Sequence, residues 1–95
     1  MGTIKNVNFQ GRLWTDKFGN TYHTVDMYVN GNYIGTTPIT YGYGNSYEYT
    51  GLDYLKKNGY FPRLKVPYPP PFQFFYDKKI KYSRKSVDVA RKKDL

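Results

Sequence analysis

His23 is the single histidine of a 95-residue chain that contains no cysteine, and these two facts narrow the available chemistry. One imidazole cannot build a multi-histidine metal site or a two-histidine nuclease. Without thiols there is neither a zinc–thiolate centre nor a cysteine nucleophile. None of the seven carboxylates stands at a spacing that forces two of them together as an acid and base pair. No catalytic residue, metal ligand or cofactor is therefore assigned, and the chain reads as a non-enzymatic binding protein. His23 alternates with Val25 and Met27, which points to a hydrogen-bonded histidine at the edge of a core. Gly42 and Gly44 precede a helical pattern and could cradle a phosphate on free backbone N–H groups. The third glycine and the Lys-Ser/Thr of a phosphate loop are missing, however, and Glu48 would repel an anion, so a tight turn is expected.

Binding chemistry is concentrated downstream. From Met1 to Phe61 five basic residues face four acids, leaving +1; from Pro62 to Leu95 ten face three, leaving +7. Arg63, Lys65, Lys78, Lys79, Lys81, Arg84 and Lys85 are interleaved with Phe74, Tyr76 and Tyr82. Cations bind phosphates with release of counterions, and aromatic faces stack on bases whatever their identity. These ten residues are the candidate contacts to DNA or RNA, with little sequence preference. The alternative is a protein-interaction module, taking an acidic or host protein or a second copy of itself. That reading uses Tyr22, Tyr28 and Tyr33, residue types enriched at binding hot spots.

The elements that must position these groups follow from periodicity. Val7, Phe9 and Leu13 share one face of a strand over residues 6 to 14, which Asp16 to Asn20 closes as a turn. Asn30-Gly31 between two extended runs, Thr21 to Val29 and Asn32 to Thr40, predicts a type I′ hairpin. A two-residue loop sets Met27 opposite Ile34, Val25 opposite Thr36 and Tyr28 opposite Tyr33, with the tyrosines on the face away from the aliphatics. Asn45 and Glu48 form a capping-box pattern for a helix from about Ser46 to Asn58, ended by Gly59. The predicted core is Val7, Phe9, Leu13, Trp14, Val25, Met27, Val29, Ile34, Ile39, Leu52 and Leu55. That is a thin core for a single small domain, so many aromatics must also be structural.

The expected fold is α+β: a three-stranded antiparallel sheet in β-β-β-α order, packed on one helix within residues 1–61. Residues 62–95 form a basic segment, with a proline and aromatic strap folded back on the domain. Its prolines exclude a regular helix through residue 71, Lys78 to Lys85 is compatible with a further strand, and Ser86 to Leu95 is expected to fray. No apolar run reaches membrane-spanning length and no signal peptide is evident, so a cytoplasmic protein without a membrane partner is expected.

The β-β-β-α order is similar in architecture to the later part of a double-stranded-RNA-binding domain. The phosphate grip of that family does not carry over, because Ser46, Tyr47, Glu48 and Tyr49 stand at the helix start. Four motifs, Trp14-x-Asp-Lys-x-Gly-Asn-Thr-Tyr-His-x-Val, Tyr28-Val-Asn-Gly, Tyr41-Gly-Tyr-Gly and Arg91-Lys-Lys-Asp-Leu, resemble small uncharacterised proteins of bacterial or archaeal viruses. That resemblance implies a host-cell setting and no particular activity.

Overall fold

Alternating apolar and polar residues carry Asn6–Thr15 (β1) and Thr21–Val29 (β2) into two long antiparallel strands, paired from Val7 with Val29 to Thr15 with Thr21. The computed structural model describes residues 3–95. In the turn between the two strands the Asp16 carboxylate accepts from the backbone N–H groups of Phe18 and Asn20, both at 2.9 Å, and Gly19 takes φ +86°. Asn30 and Gly31 adopt φ 53° and 81°, as a type I′ hairpin requires, and lead into Asn32–Thr36 (β3).

Tyr28 pairs with Tyr33 as expected, but the rest of the hairpin register does not hold. A bulge sets Met27 opposite Gly35 and Asp26 opposite Thr36, in place of Met27 with Ile34 and Val25 with Thr36. Its cause is local. Gly35 sits at φ +153°, and a Cβ there would lie 2.5 Å from the Tyr54 hydroxyl, so the chain kinks where only glycine fits. Pro38 then interrupts the ladder, and Thr40–Tyr41 (β4) rejoins β2 opposite His23 and Tyr22.

Ser46–Lys57 (α1) buries Tyr47, Glu48, Gly51, Leu52 and Leu55 against the sheet. Asn45 occupies the N-cap, but its side chain makes no capping bond and Glu48 points into the fold, so the capping box does not form. The helix ends as predicted on Gly59 at φ +84°, with the Tyr60 N–H reaching back to the Leu55 carbonyl at 2.9 Å.

One further helix is unexpected, and the further strand compatible with Lys78 to Lys85 is present but makes the sheet mixed. Pro71–Asp77 (α2) is a short helix within the aromatic strap, where no helix is predicted. Pro71 stands in its first turn, where a missing N–H costs nothing, and Phe74 and Phe75 enter the core. Lys81–Asp88 (β5) pairs with β1 in parallel, because the chain returns through the helical layer before re-entering the sheet. The α+β class stands, but the five-stranded sheet is mixed, in the order β3-β2-β1-β5 with β4 also on β2. Within the segment expected to fray, Ser86 to Asp88 belong to β5, and the Val89 N–H donates to the Leu13 carbonyl at 2.8 Å before a 3-10 turn at Lys92–Asp94.

Both helices cover one face of the sheet. Val7, Phe9, Leu13, Val25, Met27 and Val29 meet Tyr47, Leu52, Leu55, Phe74, Phe75 and Ile80 there. Of the other predicted core residues, Ile34 packs half-buried against this cluster, whereas Trp14 is half-buried outside it and Ile39 is exposed.

Candidate nucleic-acid interface

The strand registers fix what stands on the face that carries neither helix. One row across the sheet reads Tyr33, Tyr28, Asn8 and Ser83; the next reads Thr36, Asp26, Gln10 and Lys85. Arg12 then stands between Thr24 and Val87, and the far row is Tyr41, Tyr22 and Trp14. Lys81 completes the β5 side, opposite Asn6.

Aromatic rings collect at the two ends of this face. Trp14 stacks on Tyr22 with ring centroids 6.0 Å apart, and Tyr41 meets Tyr22 edge-on at 5.5 Å. At the other end Tyr28 and Tyr33 are tilted together at 5.6 Å. Tyr22 and Tyr28 are six residues apart on one strand, so the two clusters lie about 20 Å from each other. Tyr33 and Tyr41 are more than half exposed.

A hydrogen-bonded chain spans the ground between them. Arg12 holds Asp26 through two bonds, Nη1 to Oδ2 at 2.6 Å and Nη2 to Oδ1 at 3.1 Å. Thr36 also donates to Asp26, and its oxygen accepts from the Tyr33 hydroxyl. Asp26 is thereby neutralised, and the lysines of β5 set the sign of the face. Arg12 Nε and Thr24 Oγ1 are buried beside this network without a hydrogen-bond partner, among the described residues. Such orphaned groups are few in a native interior.

The ten candidate nucleic-acid residues do not form one segment-long surface. Lys81 and Lys85 join the aromatic face, beside the Tyr22, Tyr28 and Tyr33 of the alternative reading. Arg63, Lys65, Phe74 and Lys78 gather round a pocket in the helical layer. Tyr76 and Lys79 are exposed near the end of α2.

Tyr82 and Arg84 turn inward. The Tyr82 hydroxyl donates to Glu48 Oε1 at 2.6 Å, and Arg84 Nε lies 3.2 Å from Oε2 of the same buried carboxylate. The Tyr82 ring stacks on Phe75 at 4.7 Å. Burial, followed by the bond to Glu48, pushes the Tyr82 hydroxyl up from its ordinary range, and Tyr47 is raised by burial and by the Glu48 charge. Phe74 is 8% exposed, so neither Phe74 nor Tyr82 offers a ring face to a base. The place of Tyr82 follows from parity, since the β5 side chains alternate between Lys81 and Lys85 on the outer face and Tyr82 and Arg84 on the helix side.

Trp14, which sequence reasoning placed in the core, stands on the helix-free face beside Tyr22. Counting by twos from Val7, Phe9 and Leu13 places it on the tyrosine face, and that signal was available. Asn8, Gln10 and Ser83 carry no signal until the pairing of β5 with β1 is known. His23 is 1% exposed and satisfied, with Nδ1 3.0 Å from the Gly42 carbonyl and Nε2 2.7 Å from Thr50 Oγ1, which is the core-edge role expected of it. Among the described residues no group of acids and histidine could hold a metal ion, and no helix is long and apolar enough to cross a membrane. In comparisons with known proteins no protein-family model, no curated protein and no solved structure matches the chain, so a functional reading rests on this geometry.

Proposed function

We propose that the protein binds single-stranded nucleic acid, with little sequence preference, on the helix-free face of its sheet. Trp14, Tyr22, Tyr28 and Tyr33 supply stacking surfaces, and Lys81 and Lys85 meet phosphates. The carrying observation is the register of β5 on β1, which puts Lys81, Ser83 and Lys85 on the same face as both aromatic clusters. Stacking on rings tolerates any base, and unpaired bases can splay onto a sheet in a way that a duplex cannot. Clusters about 20 Å apart suit a strand of several nucleotides, within the usual site size of a small single-strand-binding domain. The motifs around Trp14 and Tyr41 support a virus-encoded protein acting in a host cytoplasm as part of this reading.

A titration of labelled oligo-dT, oligo-U and a hairpin duplex across salt concentrations tests it. With the two phosphates met by Lys81 and Lys85, log affinity on single strands should fall with log salt at a slope of about −1.4. Absence of binding to every DNA and RNA at low salt removes the proposal. The exposed Tyr33 and Tyr41 favour one competing use of the same face, a protein contact anchored on tyrosines. A partner retained from nuclease-treated lysate at high salt, and lost on Tyr28→Ala, would favour that use.

A further inference from the structure

The turn after α1 and the helix α2 enclose a pocket of about 500 Å³ in the helical layer, away from the aromatic rows. Its floor is apolar. Phe61 and Phe74 meet edge to face at 5.1 Å, and Leu64 lies beside them, half-buried against the core. Three cations line it: Arg63, Lys65 and Lys78, all exposed. Lys78 Nζ lies 5.3 Å from the centre of the Phe74 ring. None of the three forms a salt bridge, and no carboxylate lines the pocket, among the described residues.

Charge and shape together select the occupant. Three unpaired cations round an apolar floor call for a ligand that is anionic at its rim and apolar at its centre. A nucleic acid meets the first condition and fails the second. The two phenylalanines are perpendicular and Phe74 is almost wholly buried, so no pair of parallel faces can hold a base. An acidic chain with one aromatic side chain meets both, because a single ring buried in such a pocket is the usual anchor of a short recognition motif.

We propose that this pocket is a docking site for an acidic peptide that inserts one aromatic side chain against Phe61, Leu64 and Phe74 while its carboxylates meet Arg63, Lys65 and Lys78. The site is independent of the sheet face and can be tested separately from it.

The test is fluorescence anisotropy with a short labelled peptide carrying a central phenylalanine between runs of glutamate, and a control with a central alanine. The phenylalanine peptide should bind about tenfold tighter or more, from burial of the ring. Replacing Arg63, Lys65 and Lys78 together by Gln should weaken it by about tenfold. These three are surface residues, and circular dichroism confirms that the variant is folded. The pair Lys81→Ala and Lys85→Ala should leave peptide affinity unchanged. Equal affinity for the alanine peptide overturns the proposal by reducing it to general charge attraction. Undiminished binding by the triple variant overturns it too, as does displacement of the peptide by oligo-dT at matched charge.

Discussion

The Tyr82 hydroxyl donates to the Glu48 carboxylate at 2.6 Å across 34 positions of sequence, and this bond ties the edge strand β5 to α1. The tie matters for the opposite face, since Lys81 and Lys85 point to the aromatic rows only while β5 keeps its register on β1. Glu48→Ala leaves a mostly buried hydroxyl without its acceptor and frees Arg84. A loss of about 2–3 kcal/mol is expected, most of it from the hydroxyl, because Arg84 is half exposed and its pair contributes little. Tyr82→Phe should cost only about 1 kcal/mol, since the ring stays stacked on Phe75. Urea denaturation measures both, and amide exchange should accelerate first in Lys81–Asp88. A Glu48→Ala protein as stable as the parent would remove the structural role assigned here.

Two glycines are held by rings and not by turns. A Cβ on Gly51 would stand 2.8 Å from the Phe9 ring, and one on Gly11 2.7 Å from the Tyr47 ring. On an exposed helix Gly→Ala gains about 1 kcal/mol. Here Phe9 is fully buried and cannot move aside, and overpacking of about 1–3 kcal/mol opposes that gain. Gly51→Ala should therefore lower stability by about 0–2 kcal/mol, and Gly11→Ala by about 1–3 kcal/mol without any helical compensation. A rise in the denaturation midpoint of either variant would contradict this packing.

Local patterns were legible in the sequence wherever one residue type decided the outcome. Asn30-Gly31 fixed the hairpin turn, Gly59 the helix end, and Val7, Phe9 and Leu13 the buried face of β1. What escaped depended on partners distant in sequence. The bulge at Gly35 answers the Tyr54 hydroxyl, Glu48 leaves its capping position for Tyr82 and Arg84, and β5 finds β1 only after the helices have turned the chain round. The candidate site was legible in composition but not in place. The ten basic and aromatic positions read as one run, but strand parity divided those of β5 between the two sides of the sheet, and α2 and its flanking turns carried the rest to the helical layer.

Tyr68 donates to Asp53, whose carboxylate also meets Lys57 Nζ at 2.9 Å. The bond to Asp53 is the main cause that pushes the Tyr68 hydroxyl up to about 12, with burial and the Asp53 charge adding to it. Burial raises the Asp53 carboxyl, but Tyr68 and Lys57 outweigh it and hold the group below its ordinary 3.8. A raised tyrosine stabilises the fold fully below its unfolded value of 10.0, and the benefit is lost as pH climbs through about 12. A depressed carboxyl stabilises above 3.8, and that share is lost as pH falls through the depressed value. Tyr68→Phe should lower stability by about 1 kcal/mol near neutral pH and weaken both the acid and the alkaline decline. Urea midpoints across pH measure this. In a tyrosinate absorbance titration of the twelve tyrosines, Tyr47, Tyr68 and Tyr82 should be the late ones.

On the proposed reading, the two aromatic clusters and the lysines make separable contributions to nucleic-acid binding. Replacing Lys81 and Lys85 by Ala removes charge and no stacking surface, so affinity should fall and the salt slope on single strands should become shallower by about 1.4. Replacing Trp14 by Ala removes stacking and no charge. Affinity should then drop by about 1–3 kcal/mol with the slope unchanged. Tyr28→Ala should act like Trp14→Ala on an oligonucleotide long enough to reach both clusters. On one too short to bridge about 20 Å, either cluster alone can hold the strand, so each single variant should lose less. The length at which the two substitutions become additive reports the spacing of the clusters, and a protein-binding face would show no such dependence on oligonucleotide length.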